Sequence, residues 1–235
     1  MWNLSNCVVY DVEVAEDPAH VKGGWDNPEE MGFASAVAYD YETNQYEFFL
    51  GPEQLQALRD YLGGRVVVTF NGVKFDSRVI LGNRRSAEAG TRWSAVMDIT
   101  SEAGAGFKDY DLLLQYVRAR YDYQDVDQAE ARLGDKAIHD GTFGLDGLAE
   151  GTLGLRKSGH GAKAPYLYQE GSFGELLAYN LHDVRLTRML FEFILAHGYL
   201  IDRSGRVVAI NQVPFYTVFR NDPKAKTVLL QGLEF

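Results

Sequence analysis

Cysteine, long apolar runs and positive charge are all scarce in this sequence. Cys7 is the single cysteine among 235 residues, which excludes an internal disulfide framework and a cysteine-rich zinc site. No apolar run approaches the length that crosses a bilayer, and the segment Met1–Leu4 lacks the basic and apolar regions of a secretory signal. We therefore expect a protein of a reducing, cytoplasmic compartment with no membrane partner.

Acidic residues exceed basic ones: the chain has 23 Lys and Arg and 33 Asp and Glu, which give a formal net charge of −10. An acidic protein repels phosphate at long range, so the net charge by itself argues against a nucleic-acid partner. Carboxylates can also cluster to hold divalent metals, however, and a bound cation inverts the local field. Hydrophobic residues make up 46% and aromatic residues 13% of the chain, which excludes a disordered acidic chain. Whether the chain has a nucleic-acid partner therefore depends more on where its carboxylates lie than on how many there are.

The apolar patterning predicts an α/β domain with a mixed sheet, in which an antiparallel hairpin lies beside parallel buried strands. The predicted strands are Cys7–Val14, Phe33–Tyr39, Gln45–Leu50, Arg65–Phe70, Tyr199–Ile201 and Arg206–Ile210. The predicted helices are a short one between Gly51 and Gly63, then Ser77–Leu81, Tyr110–Tyr121 and Phe173–His197. We assign residues 1–200 to this domain and residues 201–235 to a hairpin and tail appended to it. Residues 82–107 show no apolar periodicity that predicts a helix or a strand.

Two acidic residues, Asp11 and Glu13, lie in the middle of the first apolar strand. Side chains at positions i and i+2 of a strand point to the same face, and their Cα atoms lie roughly 6.6–6.8 Å apart. Two carboxylates so placed can converge on a metal ion, whereas burying them without a cation would be costly. The alternative is an edge strand with a solvated acidic face, which the apolar neighbours between Val8 and Val14 disfavour.

The second polar group is Asn71–Asp76, which directly follows the strand predicted at 65–70. An acid at the end of a strand, where a turn leads into a helix, occupies the crevice in which α/β sheets bind ligands. Asp76 could equally be an ordinary cap for the following helix, and Asn71 alone is a common turn former.

The third polar group lies on the long predicted helix, where Tyr179 and Asp183 are four residues apart. Residues at this spacing are neighbours on one helix face. A tyrosine packed above a solvated aspartate would give the same spacing, so this pair alone does not select a function.

Taken in order, the three groups resemble the motifs of the DEDD exonuclease superfamily, the DnaQ-like 3′–5′ exonucleases with an RNase H-like fold. Asp11-Val12-Glu13 matches the D-x-E of the first motif, Asn71–Asp76 the N-x-x-x-[FY]-D of the second, and Tyr179–Asp183 the Y-x-x-x-D of the third. The tyrosine places the resemblance in the DEDDy branch. The phrases VTFNGVKFD and AYNLHDVRLT are similar to stand-alone relatives of the proofreading domain of family B DNA polymerases, and the resemblance covers roughly residues 7 to 195.

This resemblance implies a 3′–5′ exonuclease that hydrolyses phosphodiester bonds at the end of a single strand, with DNA favoured over RNA, and releases nucleoside 5′-monophosphates. It implies that Asp11, Glu13, Asp76 and Asp183 bind two divalent metal ions, Mg²⁺ or Mn²⁺, which stabilise the attacking and leaving oxygens. Tyr179 would orient the attacking water.

The substrate-binding residues follow from the same resemblance and from the distribution of basic residues. Asn71 would contact the terminal nucleotide. Val14 stands where family members usually have threonine, so the residue that binds the terminal base is not assigned. Phe75 and Trp25 are the candidates. The cations expected to meet phosphates are Lys74 and Arg78 beside Asp76, then Arg84 and Arg85, and finally Arg156, Lys157 and Lys163 around the glycine-rich loop Ser158–Ala162. An ordinary surface loop with solvated charges is the alternative for that segment.

Two other functions share the expected fold. A catalytically silent RNase H-like module would bind nucleic acid or a replication partner without turnover, and the presence of all four acids and the tyrosine disfavours it. An RNase H-fold endonuclease would cut a circular single strand, which an exonuclease cannot. The expected partners are single-stranded DNA or RNA 3′ ends, together with a replication or repair protein that docks on the C-terminal tail.

Overall fold

The computed structural model describes residues 2–81, 106–122, 126–133, 141–157, 159, 161–210, 215–220 and 229–231. The described strands are β1 (Cys7–Val14), β2 (Phe33–Asp40), β3 (Gln45–Leu50), β4 (Val66–Thr69), β5 (Gly106–Asp111), β6 (Tyr199–Ile201), β7 (Val207–Ala209), β8 (Phe215–Arg220) and β9 (Leu229–Gln231). The described α-helices are α1 (Leu55–Leu62), α2 (Asp76–Leu81), α3 (Leu112–Tyr121), α4 (Val126–Leu133), α5 (Leu145–Leu153), α6 (Ala164–Gln169) and α7 (Phe173–His197).

Seven strands form one mixed sheet in the order β3-β2-β1-β4-β5-β8-β9. The pairs β1–β4 and β4–β5 are parallel, and the other neighbours are antiparallel. The hairpin β2–β3 therefore lies beside parallel buried strands, which confirms the predicted α/β class with a mixed sheet. A separate two-stranded sheet pairs β6 with β7.

Strand β1 lies at the centre of the described core, between β2 and β4. It is buried along almost its whole length, as its apolar sequence predicted. Its residue Val9 packs with Val184 and Phe191 of α7 in one apolar cluster, whereas Val12 packs with Leu58 and Ile80 in the other. Because side chains alternate along a strand, Asp11 and Glu13 share the face of Val9, which α7 covers.

Helix α7 has the bounds that the sequence predicted, and it ends where Gly198 adopts a left-handed conformation with φ 76. This conformation is available to glycine without steric cost, and the Gly198 N–H donates to the carbonyl of Ile194 at 2.8 Å. The helix buries Asn180 and Asp183 together with apolar residues such as Val184. Asn180 and Asp183 are therefore polar side chains held inside the interface between α7 and the sheet.

The helix predicted at 110–121 was wrong at its start, because residues 106–111 form β5, parallel to β4. Asp111 marks the change: its backbone is extended, and its carboxylate accepts hydrogen bonds from the N–H groups of Leu113 and Leu114. Asp111 is thus the N-cap of α3, and Tyr110 lies in the sheet. The predicted strand at 65–70 is also shorter, since Arg65 and Phe70 lie outside β4.

Part of the C-terminal segment belongs to the main sheet. Strand β8 pairs with β5, and β9 pairs with β8. The predicted hairpin at 199–210 is present, although its second strand is confined to Val207–Ala209. The rest of the predicted tail, at 211–214, 221–228 and 232–235, lies outside the described residues. Among the helices that the structure describes, none combines the length and apolar character that crossing a bilayer requires.

Candidate metal centre

Three carboxylates from two elements meet at the face of the sheet that α7 covers. Asp11, Glu13 and Asp183 each offer one oxygen, and these oxygens all lie within 4.8 Å of one another. Strand alternation brings Asp11 and Glu13 to the same face, as predicted, and α7 places Asp183 opposite them. Glu13 is 6% exposed and Asp183 is 3% exposed. Two buried acids, Glu13 and Asp183, and the half-buried Asp11 are therefore clustered where water has limited access.

Burial raises the pKa of each of these three carboxyl groups. For Asp11 the neighbouring acids Asp76, Glu13 and Asp183 raise the pKa further. For Glu13 the largest cause after burial is the charge of Asp183. The pKa of Asp183 is also raised by burial, and Lys157 opposes that increase. Ionising the cluster in the absence of a cation is therefore unfavourable, and a divalent cation would supply the missing positive charge.

Lys157 is the cation that the chain itself brings to the cluster. Its Nζ lies 2.5 Å from Oδ2 of Asp183 and 5.5 Å from the centroid of the Tyr179 ring. Burial acts to lower the pKa of Lys157, but Asp183 and the nearby acids outweigh it, so the pKa lies above its usual value. The Lys157 backbone N–H donates to Oδ1 of Asp146 at 2.8 Å, which anchors this residue. One ammonium group thus faces three carboxylates.

Replacing Lys157 with methionine is expected to destabilise the metal-free protein by about 2 kcal/mol. Removing one partner of a buried ion pair typically costs about 3–5 kcal/mol, and proton uptake by Asp183 reduces that cost. Denaturant unfolding in EDTA measures the change, with Lys163→Met as a control at an exposed lysine. Saturating Mn²⁺ should remove most of the difference, and an equal loss with and without Mn²⁺ would contradict this account of the pair.

Several buried polar atoms around the cluster have no hydrogen-bond partner within the described part of the chain. They are Oδ1 of Asp183, Oδ1 of Asn180 and Oγ of Ser35, which lies opposite Glu13 in the β1–β2 register. Buried polar atoms are normally paired, so unpaired oxygens indicate a missing partner such as an ion or water. Hard divalent cations take oxygen ligands, and the donor set at this site is made of oxygens. The residues therefore fit Mg²⁺ or Mn²⁺.

Asp76 lies beside the cluster and contacts the strand that carries it. Its Oδ1 accepts a hydrogen bond of 2.7 Å from the N–H of Val12, the residue between Asp11 and Glu13. Burial raises the pKa of Asp76 to about 7. The carboxylate is thus tied to β1, which goes beyond a simple helix cap.

The segment before Asp76 carries two further predicted substrate-binding residues. Asn71 has a left-handed backbone with φ 65, and its Oδ1 is buried without a partner in the described structure. Phe75 packs against Trp25, with their ring centroids 5.8 Å apart. Trp25 is 48% exposed, so this aromatic pair is accessible to a ligand. Binding of a nucleotide by Asn71 and Phe75 stays a prediction.

The predicted phosphate-binding cations lie in different environments. Arg78 pairs with Glu29 at 2.6 Å and donates to the carbonyl of Asp26, which ties the loop after β1 to α2. Arg156 pairs with Glu150, and Lys163 is exposed at the start of α6. Lys74 follows Val73 in the turn before α2 and is half-buried. Arg84 and Arg85, together with Ser158 and His160 of the glycine-rich loop, lie outside the described residues, so phosphate contact by Arg84 and Arg85 stays a prediction.

Sequence reasoning missed Asn180, whose Nδ2 donates to Oδ2 of Asp11 at 2.9 Å. A signal was present, because Asn180 lies three residues before Asp183 and therefore on the same helix face. Sequence reasoning also assigned Lys157 to a phosphate-contacting loop and gave it no place at the carboxylates. Nothing local in the sequence indicates that its side chain reaches them.

Comparisons with known proteins add no family. No protein-family model matches the chain, and no curated protein matches it either. Any assignment of function therefore depends on the three motifs and on the geometry of the carboxylates.

Proposed function

We propose that this chain is a metal-dependent 3′–5′ exonuclease of single-stranded nucleic acid, with DNA favoured and nucleoside 5′-monophosphates as products. The observation that carries the proposal is the convergence of Asp11, Glu13 and Asp183, whose oxygens lie within 4.8 Å of one another on one face of β1. The order β3-β2-β1-β4-β5 of the sheet is compatible with the RNase H-like fold that the proposal assumes.

The proposed roles follow from where each side chain lies. Asp11, Glu13 and Asp183 would hold the metal ions, with Asp76, the first residue of α2, completing the site. Two hard cations would supply charge neutralisation at the phosphate and acidify the attacking water.

The chain's other side chains would bind and orient the reactants. The Tyr179 hydroxyl is buried beside Asp183 and Lys157, where it would orient a water molecule next to the carboxylates. Its pKa is raised by burial, which makes it a donor of a hydrogen bond and a poor base. Lys157 carries a positive charge at the cluster, where it can meet a phosphate oxygen once metal ions satisfy Asp183.

A single digestion experiment tests this function. A 5′-labelled DNA strand is expected to shorten stepwise from its 3′ end with Mg²⁺ or Mn²⁺, and EDTA should abolish the shortening because the carboxylates alone cannot neutralise the phosphate. A matched RNA strand measures the preference between nucleic acids, and a circular DNA strand is the control that an exonuclease leaves intact. If all linear substrates stay intact with both metals, the proposal fails; cleavage of the circle would indicate an endonuclease.

The ion pair between Lys157 and Asp183 also supports a second candidate, a catalytically silent module that binds nucleic acid or a replication partner. An ammonium group fixed at 2.5 Å from Asp183 could serve as a permanent counter-ion in place of metal. Single-strand binding that is unchanged by EDTA and by Asp11→Ala, without any shortening of the strand, would select this candidate.

A further inference from the structure

Two buried aspartates at the end of β5 contact the segment that carries Asn71 and Asp76. Asp109 and Asp111 are both 0% exposed. Their strand is parallel to β4, and the register places Thr69 opposite Asp111. Since the segment 71–77 begins directly after β4, these two carboxylates lie next to its first and last residues.

Asp111 holds the start of this segment. Its Oδ1 accepts from the N–H of Asn71 at 2.9 Å, and its Oδ2 accepts from the N–H of Val73 at 3.2 Å. The same Oδ1 also accepts from Leu113 and Leu114 in the first turn of α3. A single carboxylate therefore caps a helix and fixes the turn that precedes α2.

Asp109 holds the two ends of the segment through hydroxyl groups. Its Oδ1 accepts from Oγ1 of Thr69 at 2.6 Å, and its Oδ2 accepts from Oγ of Ser77 at 3.2 Å. Thr69 ends β4, and Ser77 directly follows Asp76. The hydroxyl of Tyr10, from β1, lies 3.3 Å from the Ser77 hydroxyl, so this network connects β5 to the strand that carries Asp11.

The backbone of the segment between Thr69 and Ser77 has little conformational freedom. Asn71 has φ 65, a left-handed conformation that asparagine tolerates better than most residues but that needs support from its surroundings. At Gly72, an added Cβ would lie 2.4 Å from the Thr69 side chain. The segment is therefore packed tightly against the end of β4, and its shape depends on the hydrogen bonds that it donates to Asp109 and Asp111.

These two acids are distinct from the metal-binding set. Each of their carboxylate oxygens already accepts at least one hydrogen bond from the protein. Within the described residues, the acids grouped closely enough to hold an ion are Asp11, Glu13 and Asp183. Any effect of Asp109 and Asp111 on the site would therefore pass through the residues that donate to them.

We propose that Asp109 and Asp111 are positioning residues of the metal centre, which orient Asn71 toward the substrate and hold Asp76 against the Val12 N–H between Asp11 and Glu13. This inference rests on the proposed function, because it assumes that the carboxylates bind metal. The inference goes further by naming the residues that hold Asn71 and Asp76 in place. These residues lie on β5, a strand that none of the three motifs includes.

The variant Asp111→Ser tests the inference best, because it can keep the N-cap of α3 while it removes the acceptor that holds the turn before α2. Serine caps a helix about as well as aspartate, but its single oxygen cannot also accept from both Asn71 and Val73. We expect the variant to keep α3, to melt somewhat below the wild-type temperature because the N–H groups of Asn71 and Val73 lose their acceptor, and to bind Mn²⁺ about tenfold more weakly, since loss of residues that orient metal ligands typically costs about 10–100-fold in affinity. Isothermal titration of the full chain with Mn²⁺ measures this affinity without any substrate.

Two further variants test Asp109 and the specificity of the effect. Asp109→Ala should also weaken Mn²⁺ binding about tenfold, whereas Asp109→Asn should restore it, because an amide can pair with both hydroxyls. Asp40→Asn is the matched control: Asp40 is a buried acid that accepts from Arg65, Tyr61 and Glu42, and it lies opposite Val8 at the other end of β1. Its loss should lower stability and leave Mn²⁺ affinity within about twofold of wild type.

The outcomes separate this inference from the proposed function. Wild-type Mn²⁺ affinity in both Asp111→Ser and Asp109→Ala would overturn the inference and leave the proposed function intact. A similar loss of affinity in Asp40→Asn would also overturn it, because general destabilisation would then explain the result. If the wild-type chain binds no Mn²⁺, the proposed function and this inference both fail.

Discussion

Replacing Asp11 with asparagine is expected to reduce strand shortening by about a thousandfold or more. Asp11 lies at the centre of the cluster, since Glu13, Asp183 and Asp76 all act on its pKa. An amide keeps the shape of the side chain but removes the negative charge that a hard cation requires. Metal ions contribute several kcal/mol to such reactions, and about 1.4 kcal/mol corresponds to a tenfold change in rate. The measurement is the initial rate of 3′-end shortening with Mg²⁺.

The same variant should be folded, because it removes one of several mutually repelling charges. Thermal unfolding of Asp11→Asn in EDTA should therefore occur at or above the wild-type temperature. Asp17→Asn is a matched control, since Asp17 lies on the exposed loop that follows β1 and caps a short turn there. Asp17→Asn should retain activity within about twofold, and an Asp11→Asn rate within tenfold of wild type would contradict a metal-binding role for Asp11.

The metal-free protein is expected to lose stability as pH rises from about 4 to about 7. Burial raises the pKa of Asp76 to about 7, whereas an aspartate in the unfolded chain titrates near 4. In this window the folded protein binds more protons than the unfolded one, so the free energy of unfolding falls as pH rises. Asp76 alone would contribute on the order of 4 kcal/mol, because a tenfold change in proton affinity corresponds to about 1.4 kcal/mol.

A divalent metal should weaken or reverse this trend, because it stabilises the ionised carboxylates of the folded state. At a Mn²⁺ concentration about a hundred times its dissociation constant, binding would add about 2.7 kcal/mol to stability. Urea unfolding across this pH range, with EDTA or Mn²⁺, checks both statements. Asp11→Asn should flatten the slope in EDTA, whereas Asp40→Asn should preserve it, because hydrogen bonds from Arg65, Glu42 and Tyr61 overcome burial and lower the pKa of Asp40 below the window. A wild-type protein that becomes more stable in EDTA as pH rises from 4 to 7 would contradict the prediction.

The sequence predicted the parts of the site that have a local pattern. The apolar run around Asp11 and Glu13 indicated a buried strand with two acids on one face, and that geometry is present. The four-residue spacing of Tyr179 and Asp183 placed both on one helix, whose bounds were also predicted. In each case, the signal lies within a few residues of the feature itself.

Features that depend on distant partners could not be predicted in the same way. The stretch KDYD looks too polar for a buried strand, yet Asp109 is fully buried, because Thr69 and Ser77 supply hydroxyl donors from 40 and 32 residues away. Lys157 reaches Asp183 because its backbone is anchored to Asp146. Neither arrangement has a sequence pattern, since it exists only once the sheet has formed.

The separation of the carboxylates along the chain has a consequence for folding kinetics. Asn180, next to Asp183 on α7, hydrogen-bonds to Asp11 across 169 residues of sequence. Contacts this distant form slowly, because a large loop must close before they contribute any stability. The carboxylate cluster therefore cannot form during synthesis until α7 has left the ribosome, and a chain in which α7 has not docked lacks Asp183 at the cluster. Under the proposed function, uptake of Mn²⁺ during refolding should consequently follow the docking of α7, which would make metal binding a direct reporter of that step.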